Sequence, residues 1–267
     1  MSESERMLVS STDGRVLVLK LNRPEKLNAL TRELHAELLE AVTRASTDKS
    51  VGCVMLTGAG AAFCSGGDLA SMPQGGEPQR LTQEDRADLL LHHAETARLL
   101  HCMPKPTIAM INGVAAGAGL ALALACDLRI MSRAATLSTS YVKMALSGDL
   151  GVSYFLVHLV GPARARELMF MNRKLDAETA LEWGLANRIE DPEGLSAAAL
   201  GIAMQLAETP GVALRYMKEN LLRAQTQTLP EVLEREAFGM GRCGRTQDAK
   251  EAALAFREKR PPKFTGS

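Results

Sequence analysis

Two glycine-rich stretches are where this sequence could do chemistry, Gly58 to Asp68 and Gly113 to Gly119. Each stands where a short apolar run ends and a helix-like pattern begins, the position at which α/β layers bind ligands. Glycine lets the main chain approach a ligand closely, and a helix start offers amides with no carbonyl behind them. One use would be a dinucleotide fingerprint, but Phe63 stands where the third glycine after Gly58 and Gly60 belongs. A phosphate loop would need Gly-Lys-Ser or Gly-Lys-Thr, and neither occurs. The other use is an oxyanion hole, with the N–H groups of Gly67 and Ala118 aimed at one carbonyl oxygen. A single donor of that kind is worth about 3 to 4 kcal/mol as charge develops. Spacing alone fits two tight packing turns equally well. Beside the first loop, Cys64 offers a thiol with no histidine adjacent to activate it, although His92, His93 or His101 could approach in space. Asp68 reads as the cap of a short helix starting at Leu69 rather than as a general acid.

The elements that must position these residues follow from periodicity and punctuation. Val16 to Leu21 reads as a strand between Asp13-Gly14 and Pro24, and Val51 to Thr57 as a second. Thr31 caps a helix with Leu34, Leu38, Leu39 and Val42 on one face. Ser71 to Arg80 is polar, contains Gly and Pro, and is expected to be mobile. Glu84 to His101 has helical spacing. Pro106 to Asn112 is a strand, Gly113 to Gly119 turns into an Ala- and Leu-rich helix ending near Cys126, and Leu128 to Met131 and Thr136 to Ser138 are further strands. Alternation of strand and helix implies a parallel sheet in an α/β fold. The last third is helical: Asp176 and Thr246 are N-caps, and Pro210 and Pro230 fall in first turns. The expected division is an α/β core over residues 1–195 and a helical region over 196–267.

Composition bounds the rest. The chain has 267 residues, 46% apolar and 23% charged, enough to bury a core without disulfide or metal staples. Thirty-one Lys and Arg balance 31 Asp and Glu, so nucleic acid is not an expected partner. The polar start Met1 to Arg6 is not a signal peptide pattern, and the longest apolar run, Gly113 to Cys126, is too short to span a bilayer, so no membrane association is expected. Five cysteines without a CxxC pair read as reduced thiols in a cytoplasmic protein. Neighbouring His92 and His93 point to different sides of a helix, and no metal site is expected.

The chain resembles the crotonase superfamily (enoyl-CoA hydratase/isomerase). The resemblance is carried by Leu21-Asn-Arg-Pro-Glu-Lys-Leu-Asn-Ala-Leu30, Thr57-Gly-Ala-Gly-Ala-Ala-Phe-Cys-Ser-Gly-Gly-Asp-Leu69 and Lys105-Pro-Thr-Ile-Ala-Met-Ile-Asn-Gly-Val-Ala-Ala-Gly-Ala-Gly119. Ala125-Cys-Asp-Leu-Arg129, Trp183-Gly-Leu and the tail from Glu258 to Gly266 extend it along almost the whole chain. It implies a crotonase (ClpP-like) fold of repeated ββα units in a spiral, with a helical C-terminal region for trimerisation. It implies an acyl-CoA thioester ligand, a homotrimer or dimer of trimers, and Gly67 and Ala118 as oxyanion donors. Coenzyme A would lie along Lys26, Leu27 and Ala29 and along Ser65, Gly66, Asp68 and Leu69, with Gly117 at the second loop. No separate cofactor is implied, because coenzyme A arrives as part of the substrate.

The resemblance also shows what is missing. The two glutamates of a hydratase of this superfamily would fall at Ala121 and Tyr141, and neither residue is a carboxylate. Asp149, eight residues beyond Tyr141, lies where some isomerases of the superfamily carry a catalytic aspartate; its alternative role is to cap the helix beginning near Gly151. One carboxylate suffices for a 1,3-proton shift and adds about 10²–10⁴-fold. Tyr141 is expected chiefly as a wall of the acyl pocket; its alternative role is a hydroxyl that orients the substrate or hydrogen-bonds the carboxylate. The reading is an acyl-CoA isomerase using Asp149, Gly67 and Ala118. The alternatives are a 2-enoyl-CoA hydratase with a non-standard base and a non-catalytic acyl-CoA binder.

Overall fold

The computed structural model describes residues 6–68 and 82–266. The expected mobile stretch Ser71 to Arg80, and Leu69, lie outside the described residues. The chain opens with an antiparallel hairpin, β1 (Leu8–Asp13) and β2 (Val16–Leu21), followed by helix α1 (Arg32–Thr47). Thr31 caps α1 by accepting the Leu34 amide at 3.2 Å. Three ββα units then follow: β3 (Cys53–Gly58), β4 (Ala62–Cys64) and α2 (Gln83–Cys102); β5 (Thr107–Ile111), β6 (Val114–Ala116) and α3 (Ala118–Ala125); β7 (Leu128–Ser132), β8 (Leu137–Ser138) and α4 (Val152–Met171). The first strand of each unit joins a sheet ordered β1-β2-β3-β5-β7-β9, where β9 is Arg188–Glu190, and the second joins a smaller sheet ordered β4-β6-β8. This is the repeated ββα architecture that the resemblance implied.

The large sheet is parallel from β2 onward and covered on both faces, so β3 is buried along its whole length. Alternation sorts its side chains. Val54, Leu56, Ala109 and Ile111 face the cluster shared with α1, α2 and α3, while Cys53, Met55, Ile108 and Ile130 face α6 (Pro192–Ala207). Helix α3 has no polar face because all eight of its residues are buried. Asp176 caps α5 (Ala177–Glu182), which leads into β9 (Arg188–Glu190). The expected division at 195/196 falls inside α6, whose Leu195, Ala199, Ala203 and Ala207 pack on the sheet. The helices beyond it are α7 (Gly211–Ala224), α8 (Leu229–Cys243) and α9 (Gln247–Glu258). Thr246 caps α9 as expected, whereas Pro210 is itself the residue before α7 rather than part of its first turn. Among the described residues no single helix is long and apolar enough to cross a membrane.

Sequence reading took both glycine stretches as loops, and the structure places a three-residue strand in each. β4 and β6 are too short to show a period of two, and they exist because each pairs with a strand far away in the chain.

Candidate active site

The three strands of the small sheet run parallel, so their carboxyl ends lie together. From those ends emerge Ser65-Gly66-Gly67, Gly117-Ala118 and Thr139-Ser140-Tyr141. Gly117 N–H donates to the carbonyl oxygen of Ser138 at 3.1 Å, stitching the second end to the third. The approach of the first two is closer than a side chain would allow. A Cβ on Gly66, whose φ is +103°, would fall 3.0 Å from Ala116 O and 3.5 Å from Ala118 N. A Cβ on Gly119 would fall 2.3 Å from Cys64 O, so glycine there is what lets α3 rest on β4.

Hydrogen-bond direction decides where the two amides point. In the parallel bridge between Leu30 and Gly67, Leu30 N–H donates to Gly66 O at 2.8 Å and Asp68 N–H donates to Leu30 O at 3.0 Å. The Gly67 amide between them therefore faces the opposite side of the strand. In α3 the first turn closes with Ala121 N–H donating to Gly117 O at 3.1 Å. The Ala118 amide precedes that turn and has no helical carbonyl to meet, and it sits at the positive end of the helix dipole. Neither amide meets a carbonyl of its own bridge or helix.

The expected coenzyme A segments also meet. Ser65 N–H donates to Leu27 O at 3.0 Å, so the Lys26–Ala29 turn runs beside the Ser65–Asp68 strand end. Leu27 and Asn28 are both left-handed, at φ 51° and 57°. Asn28, fully buried, holds this turn: its Oδ1 accepts the Arg23 amide at 2.9 Å, and its Nδ2 donates to Ala59 O at 2.9 Å and Ala62 O at 2.8 Å. Lys26 and Leu27 are exposed and Ala29 is buried. The Asp68 carboxylate pairs with Arg23 at 2.9 Å, and Arg23 also donates to Ala29 O at 2.6 Å; the helix from Leu69 that Asp68 is expected to cap lies outside the described residues. Arg23 and Asn28 are the residues sequence reading did not single out. Their signal was a polar pair inside a motif that otherwise looks like a surface turn.

Asp149 does not cap α4. Gly151 stands at that position with no side-chain cap, and the Asp149 carbonyl accepts Val152 N–H at 3.0 Å. Its carboxylate Oδ1 instead accepts the Tyr141 hydroxyl at 2.5 Å. This is the contact that the alternative role of Tyr141 names: its ring is in the core, 6% exposed, and a buried hydroxyl needs a partner, which Asp149 supplies. Burial pushes the Asp149 carboxyl up from the ordinary range, and the hydrogen bond from Tyr141 draws it partway back. Burial, then the charge of Asp149, hold the Tyr141 phenol far above its usual value. Ala121 is fully buried in α3.

Cys64 is a core residue. Burial pushes its thiol up to about 12, so it carries no thiolate near neutral pH. Of the histidines, His35 and His93 stack on each other and His101 packs against Phe155. Among the described residues no cluster of His, Cys, Asp and Glu could hold a metal ion. A cavity of about 440 Å³ opens at the opposite end of α3, beside Leu124 and Cys126, and is walled mainly by leucines with the Lys218–Asp127 pair. The loops described above do not reach it.

A family model described as enoyl-CoA hydratase/isomerase matches residues 11–267. The 1,2-epoxyphenylacetyl-CoA isomerase of Escherichia coli K12 is 37% identical over 262 residues, covering 97% of this chain and 98% of that protein. A 4-chlorobenzoyl coenzyme A dehalogenase of an Arthrobacter species is 36% identical over 228 residues, covering 85% of this chain and 82% of that protein. The crystal structure of an enoyl-CoA hydratase from Bacillus anthracis superposes with a TM-score of 0.90 at 31% identity, covering 98% of this chain and 100% of that one.

Proposed function

The chain belongs to the enoyl-CoA hydratase/isomerase family, and on that premise we propose that it is an acyl-CoA isomerase working through a thioester enolate. The three relatives differ in reaction but share a coenzyme A conjugate. That common element supports an acyl-CoA thioester as substrate here. Coenzyme A enters with the substrate, and the reaction as proposed uses no separate cofactor. Its chain would lie along Lys26, Leu27 and Ala29 and along Ser65, Gly66 and Asp68, which adjoin one another.

The thioester oxygen would sit between the amides of Gly67 and Ala118, with Gly117 shaping the approach. Asp149 as carboxylate would take a proton from the carbon α or γ to the carbonyl. The electron pair passes to the thioester oxygen as an enolate, held by the two amides and the helix end. Asp149, now protonated, returns the proton at the other end of the allyl system, and the carboxylate is restored. The observation that carries this reading is that Asp149 is a partly buried carboxyl with Ala121 and Tyr141 where a two-glutamate hydratase would have its acid and base. Adding water requires one group to activate it and another to protonate the carbon, whereas a proton shift needs only one.

The test is Asp149→Asn with a 3-enoyl-CoA, following double-bond migration. Loss of about 10²–10⁴-fold in kcat is expected; migration at the parent rate would overturn the assignment. Crotonyl-CoA is the companion substrate. Water addition faster than isomerisation would instead make the protein a hydratase with a non-standard base, and binding of acyl-CoA without turnover of either substrate would make it a binder.

A further inference from the structure

We infer that Tyr141 is a positioning residue for Asp149: its hydroxyl holds one carboxylate oxygen and leaves the other to face the substrate. This rests on the reading of Asp149 as the acid/base. Tyr141 Oη donates to Asp149 Oδ1 at 2.5 Å, at the short end for an O–H···O⁻ hydrogen bond. The donor is fixed from both sides of its own main chain. Its N–H donates to Thr139 O at 2.8 Å, and its carbonyl accepts Met144 N–H at 2.9 Å and Leu146 N–H at 3.0 Å.

The segment that carries it is anchored in turn. Thr139 Oγ1 donates to Leu168 O at 2.8 Å, and Ser140 N–H donates to Asn172 Oδ1 at 2.5 Å, so the loop is tied to the C-terminal end of α4. With the phenol ring packed in the core, the carboxylate inherits a defined orientation. Oδ2 is the oxygen this bond leaves uncommitted.

The charge balance of the pair is simple. The groups that act on it are burial, the mutual Tyr141–Asp149 interaction and the buried Cys64 thiol; no lysine, arginine or histidine among the described residues sets either value. The phenol is therefore what stabilises the ionised form of Asp149. A hydrogen bond to a charged group, once removed, moves the carboxyl up by about one to two pH units. The base works ionised, so activity falls as pH drops through its pKa, and the acid limb of the rate profile reports on Tyr141.

The experiment measures kcat against pH for the parent, Tyr141→Phe and Asp149→Asn with a 3-enoyl-CoA. In Tyr141→Phe the acid limb should move upward by about one to two pH units. Installing 3,5-difluorotyrosine at position 141, a more acidic phenol of nearly the same shape, should move the limb downward, and it decides the matter if the phenylalanine variant does not fold. A limb that stays where the parent has it in the folded phenylalanine variant, or that does not move with the fluorinated phenol, overturns the positioning role. The two readings fail separately. An Asp149→Asn enzyme as fast as the parent removes the base itself, whereas an inactive Asp149→Asn enzyme with an unmoved limb at position 141 removes only the role of Tyr141.

Discussion

A main-chain donor survives every substitution except proline, which makes Ala118 a useful residue to test. It is the first residue of α3, where proline is tolerated because its missing N–H has no helical partner. Ala118→Pro therefore removes one proposed oxyanion donor while leaving the helix in place. We expect kcat to fall about 10²–10³-fold with little change in unfolding free energy, and Ala118→Gly, which keeps the amide, to stay close to the parent. Steady-state kinetics and urea unfolding on both variants decide it; equal activities would remove Ala118 from the donor pair. The individual residues were unevenly legible. Gly67 and Ala118 could be named from the glycine stretches and the motif they match, because a close main-chain approach requires a particular residue type. A bond between Tyr141 and Asp149 was one of two roles open to Tyr141 in the sequence, and spacing could not choose between them. Eight residues separate the two, and only the path of the loop between them decides whether two such side chains meet.

Between elements, the packing of α1 on α2 contains an unusual contact. His35 and His93 stack with ring centroids 4.2 Å apart and planes within 1°. Both are nearly excluded from solvent, and His35 Nδ1 has no hydrogen-bond partner. Burial, and then the charge of His93, lower the His35 value from 6.5 to about 4. Below pH 6.5 the unfolded chain takes up a proton that the folded chain refuses, so stability falls with decreasing pH until about pH 4 and then levels off. The whole effect is worth about 3 kcal/mol. His35→Leu should flatten most of that decline, measured as unfolding free energy at neutral pH and at pH 4.5; an unchanged slope would mean the stack does not govern it. Element boundaries followed the caps where a cap is local, as Thr31, Asp176 and Thr246 show. They escaped in β4 and β6, whose existence depends on pairing across about fifty residues of chain and not on their own three side chains.

At the scale of the molecule, the C-terminal helices leave a large apolar surface uncovered. Met217, Leu221, Leu229, Leu233, Phe238, Met240, Leu254 and Phe256 on α7, α8 and α9 are between 44% and 86% exposed. Exposed apolar residues in this number are what an interface between copies of the chain would use. We expect light scattering to give the mass of three or six copies of the 28.7 kDa chain, and Met240→Glu combined with Phe256→Glu to lower it; a monomeric parent would exclude the proposed trimer. The amino-acid sequence by itself determined strands β2, β3, β5 and β7 of the large sheet, the helix starts at Thr31, Asp176 and Thr246, the demand for glycine at two loops and the loss of the two expected glutamates. Each of these is set by residue type within a few positions of chain. Tertiary structure alone decided that three distant strand ends share one small sheet, that Asp68 answers to Arg23, and that the Asp149 carboxylate is held by a buried phenol. Those outcomes come from pairing and burial between segments far apart in sequence, where no local preference selects the partner.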